Sequence, residues 1–86
     1  MHTVELLEEA LSLARELGYQ TRQEWLGGAG GGACEIKGRK WIFLDLAAGP
    51  ADHLEEVVVA LRREAHTMSL PMSHQLRDLL GLRKTA

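Results

Sequence analysis

Lys40-Trp41-Ile42-Phe43-Leu44-Asp45-Leu46 is the stretch that decides how this chain is read. It is rich in aromatic and aliphatic residues and holds no glycine or proline, so it reads as a strand. Side chains alternate between the two faces of a strand. Ile42, Leu44 and Leu46 therefore share one face, and Trp41 and Phe43 share the other. An antiparallel sheet with one face in water alternates apolar with polar. This strand is apolar on both faces, so each face needs cover.

Immediately upstream, Gly38-Arg39 fits a two-residue type II′ turn, which takes glycine first. That turn joins the strand to another over Ala33–Lys37. In the resulting register Ile36 lies opposite Trp41 and Cys34 opposite Phe43. Glu35 then faces Ile42, Ala33 faces Leu44, and Lys37 faces Lys40 in a like-charge pair. Further upstream lies Gly27-Gly28-Ala29-Gly30-Gly31-Gly32, five glycines in six residues. It reads as a loop. Before it, Tyr19 to Leu26 alternates Tyr19, Thr21 and Trp25 with Gln20, Arg22 and Glu24, the period of a half-exposed strand.

Helices flank the strands. Thr3 is placed to cap a helix over Val4–Leu17, whose Glu5, Glu8, Glu9, Ser12, Arg15 and Glu16 form one polar arc. Gly18 ends it as a left-handed residue. Gly49-Pro50 opens a second helix, because proline suits the first helical position. Leu54, Val57, Val58, Leu61 and Ala65 are its buried stripe. Ser69-Leu70-Pro71 breaks the chain, and Ser73 caps a short helix over His74–Leu80 that ends at Gly81. The class is therefore α+β: helix, three-stranded antiparallel meander, helix and short C-terminal helix, stacked as a two-layer sandwich. Residues 1–68 form the α-β-β-β-α domain, and 69–86 a C-terminal extension.

The chain has 86 residues and a net charge of −2. A chain this short buries only about 60–70% of its unfolded surface, so a partner subunit is a natural source of stability. Cys34 is the single cysteine, which excludes an intrachain disulfide and suits a reducing cytoplasm. The near-neutral balance argues against nucleic acid, although Arg77, Arg83 and Lys84 make the tail locally basic. No apolar run is long enough for a membrane span. The acidic start lacks the basic segment of a secretory signal.

Several motifs carry a site reading. Gly28-x-Gly30-x-x-Ala33 matches a dinucleotide fingerprint in letters only, since the residues that follow read as a strand and not as a helix. No Gly-Lys-Ser/Thr triplet supports a P-loop. Gly28, Gly30, Gly31 and Gly32, with Cys34, are instead candidates for a nest of backbone N–H groups that holds an anion or a small metabolite. Cys34 is also a candidate thiol nucleophile, with His53 or His66 as its base. A buried, inert cysteine is the commoner situation. No histidine spacing indicates a metal, and no cofactor is implied. Trp25, Cys34, Ile36, Trp41 and Phe43 are candidates for an interface, where tryptophan is enriched.

Leu17-Gly18-Tyr19, Glu24-Trp25-Leu26-Gly27-Gly28, Gly30-Gly31-Gly32, Cys34 and Gly38-Arg39-Lys40-Trp41-Ile42-Phe43-Leu44-Asp45 resemble a set of short uncharacterised bacterial proteins. The resemblance covers roughly the first 65 residues of this sequence, and implies no activity and no catalytic residue. The expectation is a non-enzymatic cytoplasmic domain that homodimerises, or binds another protein, through one face of its sheet.

Overall fold

The computed structural model describes residues 2–81. Its elements run α1 (Thr3–Glu16), β1 (Tyr19–Glu24), β2 (Gly32–Ile36), β3 (Arg39–Asp45), α2 (Pro50–Arg62), a 3₁₀ turn (Ala65–Ser69) and α3 (His74–Leu79). Arg83, Lys84 and the end of the C-terminal extension lie outside the described residues.

The α+β class and the order of elements stand. The meander does not. The strands lie in the order β1-β3-β2, with β1 parallel to β3 and β2 antiparallel to it. The physical reason lies in the apolar character of β3. The strand that must be covered on both faces takes the centre, and the more polar β1 and β2 become edges. Residues 25–31 then cross the end of β3 to reach β2. The ladder between β1 and β3 ends with the Leu46 N–H donating to the Glu24 carbonyl at 2.8 Å.

The hairpin of β2 and β3 also differs from expectation. Its central residues are Lys37 and Gly38, both with positive φ (51° and 78°), the signature of a type I′ turn. The register slips by two, so Cys34 pairs with Trp41 and Glu35 with Lys40. A like-charge pair is thereby replaced by an opposite-charge one. A slip of two keeps every side chain on its face, so the predicted division of faces survives.

Both long helices pack on the Ile42/Leu44 face of the sheet and against each other. Ala10, Ala14 and Ala60 are fully buried, and small residues let helices lie close together. Ile42, Leu44, Val57 and Leu61 fill the space beneath. Ala65, expected in the α2 stripe, is exposed beyond the end of the helix. There the Thr67 hydroxyl donates to the Leu61 carbonyl at 2.7 Å, adding to the bond that carbonyl accepts from the Glu64 N–H. The helix caps are mixed. Thr3 lies inside α1, with His2 at the cap position and no side-chain cap bond. Gly49-Pro50 and Ser73 perform as read, the Ser73 hydroxyl accepting from the Leu76 N–H. Glu9 of α1 accepts from both the N–H and the hydroxyl of Ser73 at 2.6 Å. Leu76 and Leu80 therefore join the core on the helical side, away from the opposite sheet face.

Tyr19 closes one end of this core. Its hydroxyl donates to Glu64 Oε1 at 3.0 Å, and Lys40 Nζ donates to the same oxygen at 3.1 Å. The Lys40 ammonium also sits 5.0 Å from the centre of the Tyr19 ring. Lys40 first, then Tyr19, holds the Glu64 carboxyl below its usual range. Burial, followed by the bond to Glu64, pushes the Tyr19 phenol up from 10.0 to about 12. The neutral phenol is favoured by folding, so its stabilisation is full below pH 10 and fades as pH climbs through the raised value. Because Tyr19 is the single tyrosine, absorbance at 295 nm should show native ionisation near pH 12, and Glu64→Gln should lower that midpoint. The same substitution should cost roughly 1 kcal/mol in urea unfolding, given the partial exposure of the group.

Candidate functional site

Two regions carry the residues that the sequence marks out: the glycine loop at the end of β3, and the sheet face opposite the helices.

The glycine loop is organised around Asp45. This last residue of β3 is 1% exposed. Its Oδ1 accepts from the N–H of Leu26 at 3.1 Å and of Ala47 at 2.9 Å. Its Oδ2 accepts from Gly28 at 3.0 Å and Gly30 at 3.3 Å. Of the residues anticipated as a nest, Gly28 and Gly30 donate to this carboxylate of the same chain, and Gly31, Gly32 and Cys34 are not among its donors. Ala47 foremost, with Leu26, Gly30 and Gly28, keeps the Asp45 carboxyl below its ordinary value despite burial. The sequence reading did not single out Asp45. The available signal was one acid directly after an apolar strand and before Ala47-Ala48-Gly49. Gly31 has a different task, since a Cβ there would overlap the Phe43 carbonyl and the main chain beside it. Only glycine lets the loop lie so close to β3.

One side of the loop borders a cleft of about 400 Å³ lined by Asp45, Asp52, His53, Glu55 and Glu56. The Glu56 carboxylate lies against Gly30 and Gly32. A phosphate or carboxylate ligand would meet like charge here, and would compete with Asp45 for the N–H groups of Gly28 and Gly30. His53 Nε2 lies 2.7 Å from the Asp45 carbonyl oxygen. Among the described residues no three of the acids, histidines or cysteine converge as metal ligands.

Cys34 sits in the middle of the edge strand β2 and is exposed, contrary to the common buried situation. It borders two clefts, one with Tyr19, Glu35, Lys40, Arg63 and Glu64, the other with Leu26, Gly30, Gly31, Gly32, Ala33 and Phe43. Neither contains a histidine. His53 lines the acidic cleft, and His66 lies in the 3₁₀ turn after α2. The structure does not gather a thiol and a base.

The sheet face opposite the helices brings most of the interface candidates together. Trp41 and Phe43 stack with ring centres 6.0 Å apart at 19°. Cys34 lies across from Trp41, and Ile36, 46% exposed, follows it on the same face. Gln20 and Arg22 of β1 flank the two rings, and Arg22 pairs with Glu24 at 2.9 Å. Trp25 stands just past the end of β1 and is 73% exposed. Leu46, assigned by alternation to the covered face, is half exposed because β3 ends at Asp45. No described helix is long and apolar enough to cross a membrane.

Asp45 contributes fully above the ordinary carboxylate pKa of about 4, and that contribution is lost as pH falls through its lower folded value. Asp45→Asn should therefore lower the urea midpoint at pH 7 and flatten its fall between neutral and acid pH. Gly31→Ala should cost at least about 3 kcal/mol, read from thermal melts, because backbone and not a flexible side chain must yield. No family model, curated protein or solved structure matches this chain.

Proposed function

We propose that this chain is a small non-enzymatic assembly domain that homodimerises through the sheet face carrying Trp41, Phe43, Cys34 and Ile36. The observation that carries the reading is the stacked Trp41–Phe43 pair on the face away from both helices. A two-layer domain leaves its second sheet face to water, and water is a poor neighbour for two aromatic rings on a central strand. Association with another copy removes that contact. Arg22 and Glu24 neutralise each other beside the rings, and Arg39, across from Ile36 at the far end of the face, adds one cation per copy at the rim.

The exposed free thiol at Cys34 supports a reducing compartment such as a bacterial cytoplasm. The anion-binding alternative gains nothing from an acidic cleft beside an occupied nest.

Three strands about 4.8 Å apart and roughly six residues long present a face near 14 by 20 Å. That is small for a dimer, so the expected affinity is in the micromolar range. Sedimentation velocity from low micromolar to millimolar concentration should show a monomer passing to a dimer. Trp41→Lys should remain monomeric throughout while keeping its far-ultraviolet dichroism. A wild-type chain that stays monomeric at millimolar concentration would overturn the proposal.

A further inference from the structure

We infer that the dimer is locked by reciprocal insertion: Trp25 of each copy enters the glycine-walled cleft of the other, beside Phe43 and Cys34. This rests on the self-association proposed above and adds the contact that gives it shape and stoichiometry.

Each half of the contact is present and unused within one chain. Trp25 is 73% exposed, more than any other large apolar side chain among the described residues. The cleft measures about 390 Å³ and is lined by Leu26, Gly30, Gly31, Gly32, Ala33, Cys34 and Phe43, with Trp25 itself not among its walls. It is a shallow hollow open to solvent, against whose wall one indole ring can lie flat. Gly31 lies directly on the Phe43 main chain, so the wall there is closely packed backbone. The N–H bonds of Leu26 and Gly30 to Asp45 already hold part of that main chain in place. A preformed wall lowers the ordering cost of binding.

Charge separates this cleft from its neighbour. No carboxylate, ammonium or guanidinium lines it, whereas the cleft on the other side of the loop presents Asp52, Glu55 and Glu56. A neutral indole suits the first and not the second.

The area argument points the same way. The strand face alone supplies roughly 280 Å² per copy, short of the ~600 Å² per partner at the lower end of stable interfaces. One inserted tryptophan adds about 150–250 Å² of its own surface, besides the cleft walls it covers. Two identical insertions related by a two-fold axis use up both knobs and both clefts, so assembly stops at the dimer.

The test uses the full chain. In the wild-type chain, whose tryptophans are Trp25 and Trp41, emission should shift to shorter wavelength and become shielded from iodide across the concentration range of association, and Trp25→Phe should remove the part of that change that Trp25 supplies. In the otherwise unchanged chain, Trp25→Ala should weaken dimerisation tenfold or more by sedimentation. Cys34→Phe, which fills the cleft, should weaken it comparably with dichroism unchanged. If the dimer forms while Trp25 stays open to iodide, or if Trp25→Ala dimerises as the wild type does, the insertion is wrong and the open-face dimer stands. If the wild-type chain never dimerises, both fall.

Discussion

The whole arrangement hangs on one carboxylate that cannot reach water. Asp45 ends the central strand with its oxygens turned onto the N–H groups of Leu26, Gly28, Gly30 and Ala47. A buried carboxylate without such partners would be strongly disfavoured. With four donors it becomes a clasp across the end of the sheet. Leu26, Gly28 and Gly30 belong to the segment that must cross β3, and Ala47 begins the segment that leaves it for α2. One side chain therefore fixes both exits from the same strand end.

The strand order follows from that clasp. A loop bound over the end of β3 delivers β2 to the far side of β3 from β1, and a meander becomes impossible. The order β1-β3-β2 then gives the most apolar strand the most buried lane. The glycines find their explanation here too. Gly28 and Gly30 offer N–H groups to a carboxylate, and Gly31 lets the main chain lie against Phe43 without a side chain in the way. The run that looked like a ligand cradle is chiefly an internal one.

The cost of this arrangement falls on the second face. Both helices and α3 gather on the Ile42/Leu44 side, where a single continuous core can form. A chain of this size lacks the material for another layer. Trp41 and Phe43 are left to stack on each other, with Ile36, Cys34 and the polar side chains of β1 around them. The same economy that builds one continuous core leaves the aromatic pair without a helix over it.

Much of this was legible in the residues. The 3.6-residue stripe of α2, the proline at its start, the Ser73 cap and the alternation of β3 all depend on near neighbours, and each located its element. The alternation of β3 also separated the face that the helices cover from the face that keeps Trp41 and Phe43 half-buried. What could not be read locally was which strand sits beside which, because strand pairing is decided by contacts between distant residues. Asp45 and its loop lie up to nineteen residues apart, and nothing in either segment alone names the other. The two-residue slip of the hairpin has a similar origin: Lys37-Gly38 and Gly38-Arg39 are both plausible turns, and the pairing of Glu35 with Lys40 and Cys34 with Trp41 distinguishes them only once the strands meet. Local chemistry determined the elements and the polarity of their faces. The tertiary structure alone decided their neighbours, because a buried charge must find its donors wherever in the chain they lie.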